Sequence, residues 1–219
     1  MILGRERAAL CETGRRLAAA GMVVGAAGNV SVRVGDLVAV TPGGVMLDRM
    51  APGDCPVVDV EGHLVDGERA PSSETPMHLA LYAETDAAAI VHTHSTYGTV
   101  VATTMDELPP VHYNTLLLGG VVKVAEYATY GTPELAASVR AAMAGGMRAA
   151  LLANHGGVTV GRDLEEAFEH ARLLEWLCGV YVRAKTIGEP RVLSEEQLAR
   201  VVERALNPPA WPRRAAEDV

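Results

Sequence analysis

The order of apolar and polar positions reads as helices alternating with strands. Near the N-terminus Leu3, Leu10, Leu17 and Ala18 recur at helical spacing, and Gly21 follows as a stop. Val30-Ser31-Val32-Arg33-Val34 alternates strictly, and Gly35-Asp36 separates it from the apolar run 37–41, the pattern of a β-hairpin. A second short hairpin is expected over 56–65, turning at Glu61-Gly62. Pro76 suits the first turn of a helix reaching about residue 85, with Ser72 or Ser73 near its cap.

The middle of the chain reads as a strand over 88–94 and a helix from 96 to about 104. After Pro109-Pro110 come a strand over 121–125 and a helix that Thr132-Pro133-Glu134 opens and that runs to about 144. Residues 148–153 and 157–160 are strand-like. Asp163 caps a long helix to about 187 that buries Phe168, Leu173, Leu174, Leu177 and Val180. Ser194-Glu195-Glu196-Gln197 has the form of a capping box and starts the last helix. With no repeat and no internal linker, the pattern predicts one α/β domain over 1–206 and a C-terminal tail over 207–219. The early hairpins argue against an all-parallel sheet.

Composition narrows the function classes. The 219 residues are 49% hydrophobic and 21% charged, which excludes a disordered chain. Apolar runs stay far short of the ~18 residues of a membrane span, and the first residues lack the apolar stretch of a signal peptide. A net charge of −8 argues against nucleic acid or an anionic membrane as partner. Cys11, Cys55 and Cys178 are odd in number and far apart, which suits a reducing cytoplasm.

Candidate chemistry gathers on the histidines. In Val91-His92-Thr93-His94-Ser95 two imidazoles lie two residues apart on a predicted strand. Such residues share a face about 6–7 Å apart, so both rings can turn to one ion. His155 follows an apolar strand and precedes Gly156-Gly157, where a side chain can project into a cleft. Three neutral imidazoles with an open fourth position make a catalytic zinc site. The spacing alone also suits His92 and His94 as half-buried strand residues hydrogen-bonded to their neighbours.

Asn29 within Gly28-Asn29-Val30-Ser31, and the segments Thr41-Pro42-Gly43-Gly44 and Pro71-Ser72-Ser73-Glu74, offer N–H groups or hydroxyls to an anion. Each also reads as an ordinary turn or cap. Glu74 is a first-turn carboxylate that the helix dipole favours. His78 reads as a packing histidine or as an outer partner of a metal site, His63 and His170 as surface residues, and Trp176 as core. No GxSxG motif occurs and no cysteine adjoins a histidine, so a nucleophilic triad is not indicated.

Taken in order and spacing, Gly28-Asn29-Val30-Ser31-Val32-Arg33, Thr41-Pro42-Gly43-Gly44, Ser72-Ser73-Glu74, His92-Thr93-His94 and Asn154-His155-Gly156 resemble the class II sugar-phosphate aldolase/epimerase family. The likeness runs from about residue 3 to 206 and is strongest to the L-fuculose-1-phosphate aldolases. His112-Tyr113, Gly119-Gly120 and the segment 127–132 belong to it too. It implies a three-layer α/β/α fold with a mixed central sheet, assembled as a C4 homotetramer with active sites between subunits. His92, His94 and His155 are then the ligands of one Zn2+ per subunit, other divalent transition metals being an option. Glu74 is the catalytic carboxylate, and Tyr113 a proton donor reaching in from a neighbouring subunit. Asn29, Gly44, Ser72 and Ser73 form the phosphate cradle.

The implied reaction is aldol cleavage of a ketose 1-phosphate, with L-fuculose 1-phosphate giving dihydroxyacetone phosphate and L-lactaldehyde. The alternatives are a 4-epimerase, decarboxylase or dehydratase on the same scaffold, or a non-catalytic scaffold resembling the adducin head. Ala26 and Gly43 stand where the family often has hydroxyl residues, so two side-chain donors are missing beside the expected phosphate site. Trp211 is expected either to cover the site, as an aromatic of the aldolase tail does, or to anchor the tail on the surface.

Overall fold

Nine strands share one sheet in the computed structural model, which describes residues 1–209. The first five are β1 (Asn29–Val34), β2 (Leu37–Val40), β3 (Val57–Asp59), β4 (Leu64–Asp66) and β5 (Ala89–Thr93). The remaining four are β6 (Glu107–Leu108), β7 (Val122–Ala125), β8 (Ala149–Leu152) and β9 (Gly156–Gly161). They lie in the order β4-β3-β2-β1-β5-β9-β8-β7-β6. Only β7 and β8 run parallel, so the sheet is mixed, as the hairpin pattern requires. Around it pack α1 (Gly4–Ala19), α2 (Thr75–Glu84), α3 (Thr96–Ala102), α4 (Pro133–Ala142), α5 (Leu164–Ile187) and α6 (Glu195–Leu206).

Side-chain alternation assigns the layers. On β5, Ile90 joins Met77 and Leu81 of α2 and Leu135 and Val139 of α4 in one cluster. Ala89 and Val91 point the other way, to Leu10 and Leu17 of α1 and Phe168 of α5. A third cluster places Val101 of α3 against Leu151 of β8 and Leu174 and Leu177 of α5. The result is a three-layer α/β/α fold with α2 and α4 on one face and α1, α3 and α5 on the other. Because a strand repeats every two residues, His92 follows Ile90 onto the α2 face.

Most strand and helix boundaries agree with the sequence pattern within two residues. The start of α2 differs: its N-cap is Glu74 (φ −94°, ψ 7°), not Ser72 or Ser73. Ser72 is instead tied back to the sheet, its N–H donating to the Thr41 carbonyl, and its own carbonyl accepts from Thr75. Trp176 is not core but 47% exposed. Phe168, Leu174, Leu177 and Cys178 take the inner side of α5, and at 100° per residue Trp176 falls opposite them.

His63 is exposed, whereas His170 is half-buried, with its Nδ1 on the Val160 carbonyl at 2.7 Å. The two-residue β6 and the 3-10 turn Tyr113–Leu118 are too short to register as periodicity. All three cysteines are buried and free. Among the described residues no helix is long and apolar enough to cross a membrane. Trp211 lies outside the described residues.

The β8–β9 turn is the tightest joint. Gly156 pairs with Leu152 while its Cα lies so close to β5 that a Cβ would overlap the Thr93 carbonyl oxygen and sit 3.3 Å from the Cα of His94. Gly156→Ala is expected to cost about 3 kcal/mol through backbone overpacking. Gly53→Ala, where a Cβ meets nothing within 4 Å, should stay within about 0.5 kcal/mol. Urea midpoints of the two variants check this.

Candidate functional site

Four elements deliver one side-chain cluster. His92 and His94 come from the end of β5 and the residue just beyond it, and Glu74 from the N-cap of α2. His155 stands on the three-residue turn between β8 and β9, where Asn154 adopts a left-handed conformation (φ 57°). Asparagine tolerates that region better than most residues. One ligand atom from each of Glu74, His92, His94 and His155 lies within 4.8 Å of the others.

The donors face one another. His92 Nε2 lies 2.9 Å from His94 Nε2 and 3.1 Å from Glu74 Oε2, and His155 Nε2 is 3.3 Å from Glu74 Oε1. The Nδ1–H of His92 donates to the Gly157 carbonyl at 3.0 Å, which leaves its Nε2 a bare lone pair directed at the cluster. Glu74 Oε1 is buried with no hydrogen-bond donor. Converging lone pairs and a buried carboxylate repel unless a cation lies among them. The donor set therefore fits a divalent metal, with His92, His94 and His155 as neutral nitrogen ligands.

Burial by itself raises the Glu74 carboxyl pKa, but His92, His155 and the Asn29 amide outweigh it and hold the group far below the usual carboxylate range. His94 and His155 are pushed down to about 4, first by burial and then by His92, so both stay neutral at neutral pH. His78 falls to about 3, chiefly from complete burial.

Above the cluster opens a cavity of about 410 Å³. Asn29, Gly44, Ser72, Ser73, Glu74, His94 and His155 all line it, so seven residues singled out from the sequence meet on one surface. His92, fully buried, is not among the lining residues but belongs to the same cluster. Ala26 and Gly43 line it as well, and the Gly43 N–H is already engaged with the Ala70 carbonyl. Among the described residues no Lys or Arg contributes to the lining.

Tyr113 is not among the lining residues; it is 51% exposed and stacks on His112, whose ring meets Trp176 edge-on. Sequence reasoning left Tyr127, Ala128 and Tyr130 without a role, yet they line the rim. Their signals were the family-like segment 127–132 and a position just beyond the end of β7. His78 is a fully buried packing residue and, through Asn29, one hydrogen-bonded step from Glu74.

The depressed histidines make stability depend on pH. An unfolded histidine takes a proton near ~6.5, whereas His78, His94 and His155 in the fold resist it until about 3 to 4. Below pH ~6.5 the unfolded chain binds more protons, so stability falls as pH drops, by up to about 1.4 kcal/mol per unit for each such group. Urea unfolding of chelator-treated protein at pH 7, 6 and 5 should show a steady decline.

Comparison with known proteins agrees with this architecture. Residues 8–182 match the family described as Class II Aldolase and Adducin N-terminal domain. The 5-deoxy-D-ribulose 1-phosphate aldolase of Bacillus thuringiensis serovar kurstaki is 36% identical over 93% of this chain and 97% of its own length. The 5-methylthioribulose-1-phosphate/5-deoxyribulose-1-phosphate aldolase of Rhodospirillum rubrum is 38% identical, over 90% of each chain. A solved structure of an L-fuculose 1-phosphate aldolase superposes with a TM-score of 0.89 at 40% identity, covering 94% of this chain and 98% of that one. This chain belongs to the class II aldolase and adducin N-terminal domain family and is a class II aldolase, a carbon–carbon lyase.

Proposed function

We propose that the chain catalyses reversible aldol cleavage of a ketose 1-phosphate, with zinc held by His92, His94 and His155. The observation that carries this reading is the buried Glu74 carboxylate. It has one oxygen free of any hydrogen-bond donor, beside the imidazoles of His92, His94 and His155, in a polar cavity that Glu74, His94 and His155 line. A bound zinc ion supplies a Lewis acid for the substrate's carbonyl and hydroxyl oxygens.

The residues divide the remaining work. Gly44, Ser72, Ser73 and the second amide hydrogen of Asn29 line the mouth of the cavity and hold the phosphate through neutral donors. In the condensation direction Glu74 takes a proton from the carbon next to the ketone, and that carbon bonds to the aldehyde. Tyr113 then gives a proton to the former aldehyde oxygen; in cleavage the same transfers run backwards. Because Tyr113 stands outside the cavity of its own chain, this role belongs to a neighbouring copy and supports a homotetramer with shared sites.

L-Fuculose 1-phosphate, yielding dihydroxyacetone phosphate and L-lactaldehyde, is one candidate substrate. The names of the relatives in Bacillus and Rhodospirillum favour 5-deoxyribulose 1-phosphate as a second. Both are ketose 1-phosphates ending in a methyl group.

Dihydroxyacetone phosphate release is expected from at least one of the two, lost on chelation and restored by Zn2+; no release from either by metal-loaded protein would overturn the reading. Glu74→Gln should lower kcat by about 10²–10⁴-fold with the metal still bound, measured by turnover and metal analysis on the same sample. His94→Ala should lose both metal and activity while keeping its helical circular dichroism.

A further inference from the structure

Behind Glu74 lies a chain of hydrogen bonds that the reaction as described does not use. Asn29 Nδ2 donates to Glu74 Oε2 at 2.8 Å, and Asn29 Oδ1 lies 2.6 Å from His78 Nε2. His78 Nδ1 lies 2.7 Å from Ser31 Oγ, which lies 2.7 Å from the Tyr82 hydroxyl. Ser31, His78 and Tyr82 are at most 2% exposed, so water is not available to any of them as a substitute partner.

Counting protons fixes the direction of every bond. An ionised carboxylate only accepts, so Asn29 must present its amide N–H to Glu74 and its carbonyl oxygen to His78. His78 must then carry its proton on Nε2. A neutral ring leaves Nδ1 an acceptor, so Ser31 donates its single hydroxyl proton there, and Tyr82 in turn donates to Ser31. Reversing any one member leaves two acceptors or two donors facing each other in the interior, which is costly.

We propose that His78, locked as the Nε2–H tautomer by Ser31 and Tyr82, is a positioning residue for Glu74. It keeps the Asn29 amide oriented so that Oε2 stays hydrogen-bonded and Oε1 remains the free oxygen that exchanges a proton with substrate. This rests on the reading of Glu74 as the proton-moving carboxylate. The two oxygens of Glu74 are thereby made different: one is held by a donor, the other has none. His78 lies four residues after Glu74 on the same helix, so one turn of α2 sets the spacing between the carboxylate and the residue that orients its partner.

The test compares His78→Phe, which keeps ring bulk and removes both nitrogens, with His78→Gln, whose amide can still donate to Asn29 and accept from Ser31. Metal-loaded His78→Phe should lose about 10–100-fold in kcat with KM and metal content little changed, and His78→Gln should recover most of that loss. Steady-state kinetics run well below both melting temperatures separates this from simple destabilisation. Nitrogen-15 shifts of the His78 ring in the wild-type enzyme should report an Nε2–H tautomer at pH 7, a readout that holds even if a variant fails to fold. Wild-type kcat in His78→Phe, or an Nδ1–H tautomer, overturns the proposal. Glu74→Gln run alongside isolates the underlying reading: full activity there removes the role of Glu74 itself. An inactive Glu74→Gln beside a fully active His78→Phe removes only the positioning role.

Discussion

A carboxylate leaves water only where other groups replace what water supplied, and Glu74, 6% exposed, is such a carboxylate. The arrangement around it follows from that demand. The Asn29 amide satisfies one oxygen, and the other faces His155 without an aligned donor. His92 and His155 crowd it, with ring nitrogens 3.1 and 3.3 Å from its two oxygens, and that convergence invites a cation. The cluster that keeps Glu74 ionised also leaves its Oε1 without a hydrogen-bond donor.

The sheet makes this cluster possible by packing β5 between β1 and β9. Asn29 pairs with His92 across β1 and β5, and His92 pairs with Val158 across β5 and β9. Register therefore places Asn29 beside His92 on the face that α2 covers, with Glu74 and His78 above. The Gly157 carbonyl on β9 orients the His92 ring, and Gly156 permits the close approach that brings His155 in from the next turn. A one-residue slip of β5 would send both histidines to the α5 side, among Val91 and Phe168.

The end of the cavity lined by Ala26, Gly43 and Gly44 is built differently. Among the described residues its lining carries no Lys or Arg, and the Gly43 N–H is engaged with the Ala70 carbonyl. Ala26 and Gly43 bring no side-chain hydroxyl to that end. Tyr113 belongs to a separate surface, where it stacks on His112 near Trp176.

What could be read from the sequence was what repeats locally or recurs as a motif. Period-two alternation in 30–34, the capping box at Ser194 and the Gly-bounded turns located most elements, because such patterns depend on near neighbours. The pair His92 and His94 was legible as a shared face, and the motif order placed His155, Glu74 and Asn29 with them. Other features depended on residues distant in the chain. The inner side of α5 is chosen by the sheet beneath it, which turned Trp176 outward, and the tie of Ser72 to Thr41 moved the cap of α2 to Glu74. The route from Tyr82 through Ser31, His78 and Asn29 to Glu74 joins β1 to α2 across more than forty residues of sequence. No local pattern encodes it, because its direction follows from burial and proton count once the tertiary structure has removed water.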